Sequence, residues 1–149
     1  MALAITTVTN SIAELSVSGL VIKDIDEVPE AVDPRQPTLL PLPDFITGFE
    51  LERDSYGGGS TAKMTVRYQL NYRLCYAPLG DGRTTVLEMQ AGTVEMIGLI
   101  LDAVLAVDTM TGNVDIQPSQ VVGMGAVLDP SDNAFWGCDI SFVVTEFVN

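Results

Sequence analysis

The stretch "TAKMTVRYQLNYRLCYAP", residues 61–78, decides the reading of the fold. Every even position from Met64 to Tyr76 is apolar: Met64, Val66, Tyr68, Leu70, Tyr72, Leu74 and Tyr76. The odd positions are Lys63, Thr65, Arg67, Gln69, Asn71, Arg73 and Cys75. Successive side chains on a strand point to opposite faces, so the alternation predicts one long strand with a dry face and a wet face. The wet face holds three of the chain's seven basic residues, on a protein whose net charge is −13. Lys63, Arg67 and Arg73, with Thr65, Gln69 and Asn71, make a polar strip up to ~40 Å long at ~3.3 Å per residue.

Outward from this strand, "RDSYGGGS" reads as a hairpin tip, and Phe45, Phe49 and Leu51 lead into the outgoing arm. Five prolines between Pro29 and Pro43 exclude a central strand or a helix there. An extended surface segment pinned to the core by Leu39, Leu40 and Leu42 is expected. Before it, "LVIKDIDEVPE" predicts a short edge strand stopped at Pro29. At the start of the chain, Val8, Ile12 and Leu15 give a helical spacing over residues 5–18, with Ser11 and Glu14 as a capping box and Gly19 as the terminating glycine.

After the long strand, Thr85 and Glu88 form a second capping box. The helix that follows runs to about Val107. Leu87, Ala91, Val94, Ile97, Leu101 and Val104 form one apolar stripe, and Val86, Met89, Met96, Ile100 and Val107 nearly make another. A helix this apolar is expected to be covered on more than one side. Two strands close the chain. Val122, Met124, Ala126 and Leu128 share a face in the first, and Trp136, Cys138, Ile140, Phe142 and Val144 in the second, with "DPSDN" as the turn between them. The expected fold is α+β, one domain over 1–149: a single antiparallel sheet with a long hairpin and two helices on one face.

With 149 residues the chain can bury a core, and 47% hydrophobic against 18% charged residues describes a globular protein. The acidic balance argues against gripping nucleic acid and against docking on an anionic membrane. There is no histidine, which removes imidazole bases and the commonest zinc ligand. Two strand cysteines, Cys75 and Cys138, suit a reducing compartment, with a disulfide between neighbouring strands as the alternative. Neither a signal peptide nor an apolar run of about 18 residues is visible. Gly123-Met-Gly125 lacks the rest of a phosphate-binding loop and reads as a bend or bulge. Cys75 has no histidine partner, and Asp24, Asp26 and Glu27 read as charge protecting an edge strand. No catalytic constellation, cofactor site or metal site is expected.

The polar strip has two readings, a solvated face or an interface to an acidic partner. The nearest acidic partner is another copy of this chain, and such a contact, repeated with closure, gives a ring. The order of "VIKDIDEVPE", the proline-rich "PTLLPLPDF", the long hairpin, "TTVLEMQAGTVEMIGLILDAVL" and "FWGCDISFVVTEFVN" resembles the tail-terminator (tail-completion) proteins of long-tailed bacteriophages. The resemblance implies a hexameric ring that caps the tail tube and joins it to the head. Its partners would be the tail tube protein and a head-completion, stopper or other neck protein. DNA would pass through the lumen without specific binding, and the protein would assemble in the host cytoplasm and reside in the virion. On this reading Lys63, Arg67 and Arg73 and the tip residues Tyr56, Gly57, Gly58 and Gly59 meet neighbours. Asp24, Asp26, Glu27, Glu50, Glu52 and Asp54 line the lumen. The alternatives are another neck or tube-like minor tail protein, or a monomeric ligand-binding module with Trp136 and the tyrosines lining a pocket.

Overall fold

The computed structural model describes residues 3–27, 31–53, 63–80, 86–106 and 114–148. The alternating stretch forms β3 (Met64–Pro78), and it is the middle strand of a five-stranded sheet ordered β1-β2-β3-β5-β4. Its neighbours are β2 (Thr38–Arg53) and β5 (Ala134–Val148), both antiparallel, and β4 (Val114–Leu128) pairs antiparallel with β5. On the dry face Val66, Tyr68, Leu70, Tyr72 and Leu74 join Cys138, Ile140, Phe142 and Val144 in the main core. Each such fully buried side chain contributes roughly 1.5–3 kcal/mol.

The sheet is mixed, not purely antiparallel as expected. β1 is only Val21–Ile22 and runs parallel to the start of β2, with Val21 opposite Thr38 and Ile22 opposite Leu39. The expected edge strand up to Pro29 gives way to a 3-10 turn at Ile25–Glu27, so Asp24 and Asp26 do not share a strand face. The proline-rich segment also departs from expectation, because β2 begins inside it and includes Pro41 and Pro43. β1 covers only Thr38 and Leu39, and beyond them this side of β2 is an edge, where a missing N–H costs no ladder bond. The pairing with β3 is irregular between Pro41 and Ile46, where the prolines sit.

Both helices pack on the dry face. Helix α1 (Ile5–Ala13) buries Val8 and Ile12 completely. It is shorter than expected and starts at Ala4 with no side-chain cap, so Ser11 and Glu14 form no capping box: Ser11 lies in the last turn and Glu14 is the C-terminal cap residue, its N–H donating to the Asn10 carbonyl at 3.0 Å. Instead the Ala4 N–H donates to the buried Glu146 carboxylate at 2.6 Å, which also accepts from the Tyr68 hydroxyl at 2.8 Å. Gly19, with φ 76°, turns the chain six residues beyond the helix.

Helix α2 (Val86–Leu105) buries Thr93, Met96, Ile97, Ile100 and Val104. Gly92 lets the helix approach Tyr76, since a Cβ there would run into the tyrosine ring. The described residues cover only one side of α2, contrary to expectation. A single sheet covers a limited arc of a helix: Leu87, Ala91 and Val94 face outward, while Ile97 and Val104 of the same expected stripe turn into the core. Val107 and Thr85 lie outside the described residues.

On the reverse face a smaller cluster forms from Val32, Leu40, Cys75, Val127 and Phe135. Cys75 stands opposite Gly137 and Cys138 opposite Leu74, so the two thiols point to opposite faces and no disulfide joins them. Burial pushes Cys75 up to about 12 and Cys138 up to about 11. Gly123 and Gly125 form the bulge expected of them, with φ 66° and 147° and a register shift between Val122 and Gly125. That bulge breaks the shared face expected for Val122, Met124, Ala126 and Leu128. Val122, Met124 and Leu128 are exposed, and Val127 is the residue that turns into the reverse-face cluster.

Candidate assembly surface

The face of β3 read as a wet strip is interrupted. Thr65, Asn71 and Cys75 on that face are buried. Asn71 donates to the Asp44 carbonyl and the Thr47 hydroxyl, both at 2.9 Å, and accepts from Ser141 Oγ at 2.9 Å. It thereby ties β2, β3 and β5 together where β2 is irregular. Burying a side-chain amide requires partners of this kind.

The three bases of the strip have different fates. Arg73 is held by Asp139, with Nε to Oδ1 at 2.7 Å and Nη2 to Oδ2 at 3.1 Å, and Nη1 donates to the Leu128 carbonyl at 3.2 Å. This fork makes Arg73 a cross-strand clamp between β3 and β5. Arg67 is half exposed and lies 3.8 Å from the exposed Glu50, a surface pair of little strength. Lys63 is exposed just before β3 begins. The expected tip residues Tyr56, Gly57, Gly58 and Gly59, and Asp54 with them, lie outside the described residues.

The remaining acids expected at a lumen form two groups. Asp24 and Asp26 sit beside the start of β2, where Asp24 accepts the Ile25 N–H at 2.7 Å, and Glu27 ends the 3-10 turn. Glu50 and Glu52 are opposite Arg67 and Thr65 near the other end of β2. The eleven residue steps from Leu39 to Glu50 put these groups roughly 35 Å apart along the strand. The structure does not bring them together. Among the described residues no three Cys, Asp or Glu side chains gather as a metal site would need.

Tyr68 and Tyr72, which a binding pocket would have used, are each 1% exposed and belong to the core. Tyr72 packs edge-on against Phe45 and Phe142. A groove of about 220 Å³ on the reverse face is lined by Leu40, Pro41, Leu42, Pro43, Leu128 and Pro130, with the Arg73–Asp139 clamp at its side.

What the sequence reading missed is how unevenly the apolar surface is distributed. Leu87 is 74% exposed, Val94 54% and Leu105 59%, all on the outer side of α2. Ile46, Phe49 and Leu51 are exposed on the outer half of β2. The signal was present in the first apolar stripe of α2, which holds Leu87 and Val94, but periodicity cannot say which residues of two neighbouring stripes the sheet takes. No family model matches the chain, and no curated protein matches it. No described helix is long and apolar enough to cross a membrane.

Proposed function

We propose that this chain is a structural virion protein of the tail-terminator type, six copies of which form a ring on the end of a phage tail tube. The observation that carries the reading is the apolar seam on the outer side of α2, which nothing in the described chain covers. Soluble monomers seldom leave such a contiguous strip in water, and one this long marks a contact with protein. The outer half of β2 is a second apolar strip on a different part of the surface. Two unlike patches on one chain favour a head-to-tail contact, which closes into a ring when the rotation fits. The order of elements supports the same reading. The ligand-binding alternative loses support because Tyr68 and Tyr72 are packed in the core.

The test is to add the purified chain to tail tubes of its own virus and image the ends. A six-fold ring on the head-proximal end is expected. Bare tube ends, or a ring of another order, overturn the proposal.

A further inference from the structure

Helix α2 carries an outward seam built as if for another element. Leu87, Ala91, Val94, Gly98, Leu101 and Leu105 follow one another in steps of four and three, the repeat that keeps a seam facing a partner, with Gly98 half-buried and Leu101 partly packed against the core. Glu88, Glu95 and Asp102 run along one flank in steps of seven, and the helix contains no Lys or Arg. The seam therefore needs an apolar cover with positive charge beside it.

The outer hairpin has that composition. Ile46, Phe49 and Leu51 are exposed toward the side on which the helices pack. The Phe49 ring stacks on Tyr68 at 5.4 Å, and Leu51 lies opposite Val66. Arg53 follows in the same strand, opposite Met64 and so next to Lys63, and both bases are exposed. Arg53 and Lys63 are two of the seven basic residues of the chain, both at the outer ends of β2 and β3, whereas Arg67 lies on the reverse face beside Glu50. Elsewhere Arg35 is bound to Asp33 and Arg73 to Asp139.

We propose that the outer hairpin of a second copy docks on α2. The strip Ile46, Phe49 and Leu51 covers the seam, and Arg53 and Lys63 meet Glu95 and Asp102. This rests on the ring reading above and names the two surfaces that would join. Pairing α2 with α2 of another copy fits the charges worse, because it sets two acidic ridges together with no base on either. Hairpin on helix places unlike charges together, and it leaves a docked pair with one free helix and one free hairpin, which further copies occupy until the ring closes.

Charge exchange tests it. R53E/K63E makes an acidic hairpin, and E95K/D102K makes a basic helix. All four positions are exposed, so circular dichroism and thermal melting should match the wild type. Sedimentation should show that each variant alone self-associates at least about tenfold more weakly than wild type. An equimolar mixture should recover association, since each hairpin then finds a helix of opposite sign. Either variant associating like wild type, or a mixture no stronger than its components, overturns the proposal. So does a wild-type chain that stays monomeric up to its solubility limit. The size of the mixed complex tests the ring reading separately. Six alternating copies support it, and any other closed number keeps the docking surfaces but removes the six-fold ring.

Discussion

Arg67 and Arg73 stand on the same face of β3, yet reversing the charge of each has a different consequence. Arg73→Glu would set a carboxylate against Asp139, where a fork with bonds of 2.7 and 3.1 Å now stands. It would also take a donor from the Leu128 carbonyl. Losing a half-buried pair of this kind costs about 2–4 kcal/mol, less than the cost at a fully buried site. Arg67→Glu removes only a 3.8 Å contact to an exposed Glu50 and should stay within about 0.5 kcal/mol of wild type. Urea unfolding of the two variants decides this, and equal midpoints would mean that the clamp contributes nothing. The alternation along residues 64–76 made the faces legible, because a period of two is a local property of the chain. It could not show that Asp139, 66 residues away, waits opposite Arg73, or that Asn71 is buried among Asp44, Thr47 and Ser141. Exposure on a middle strand depends on elements that the strand itself does not encode.

Between elements, the least legible link joins the proline-rich connector to the β4–β5 turn. "DPSDN" announces a turn, and the structure has one, with Asp132 at φ 63° and Asp129 accepting from the N–H groups of Ser131 and Asn133. The buried Asp129 also accepts the Val32 N–H at 3.2 Å, which anchors the connector beside Leu40 and Phe135. Nothing in either segment indicates the other. For the same reason the parallel β1–β2 pairing was unreadable, since two residues carry no period. Burial alone would push the Asp129 carboxyl up, but the hydrogen bonds from Asn133, Val32 and Ser131 outweigh it and hold the group below its ordinary 3.8. A carboxylate lowered in the folded state stabilises fully above its unfolded value, and that contribution disappears as pH falls through the lower folded value. Asp129→Asn should therefore cost about 1–3 kcal/mol at neutral pH. The gap to wild type should narrow as pH drops below about 4, where the unfolded carboxyl takes up its proton. Unfolding curves at several pH values measure the gap, and a gap independent of pH would show that the charge plays no part.

For the whole molecule, charge is the property that the sequence states most plainly and places least well. Six copies of a chain at −13 sum to −78 formal charges, so the proposed ring should repel phosphates at a distance. A conduit for a genome benefits, because cationic walls would hold the DNA with an affinity that falls steeply as salt rises. Several of the bases among the described residues are engaged elsewhere. Arg73 is clamped by Asp139 and Arg35 by Asp33, and Arg53 and Lys63 are assigned to the seam of a neighbour in the proposed assembly. In the proposed ring Glu50 and Glu52, near one end of β2, and Asp24 and Asp26, beside the other, line the channel at two heights. The assembled protein should then show no binding to duplex DNA in the micromolar range at ~50 mM salt, where electrostatic binding is strongest. Fluorescence anisotropy with a labelled duplex measures it, on wild type and on E95K/D102K mixed with R53E/K63E, which keeps the summed charge of the assembly. Micromolar or tighter binding by the wild-type assembly would reveal a coherent cationic surface and end the case for a passive conduit.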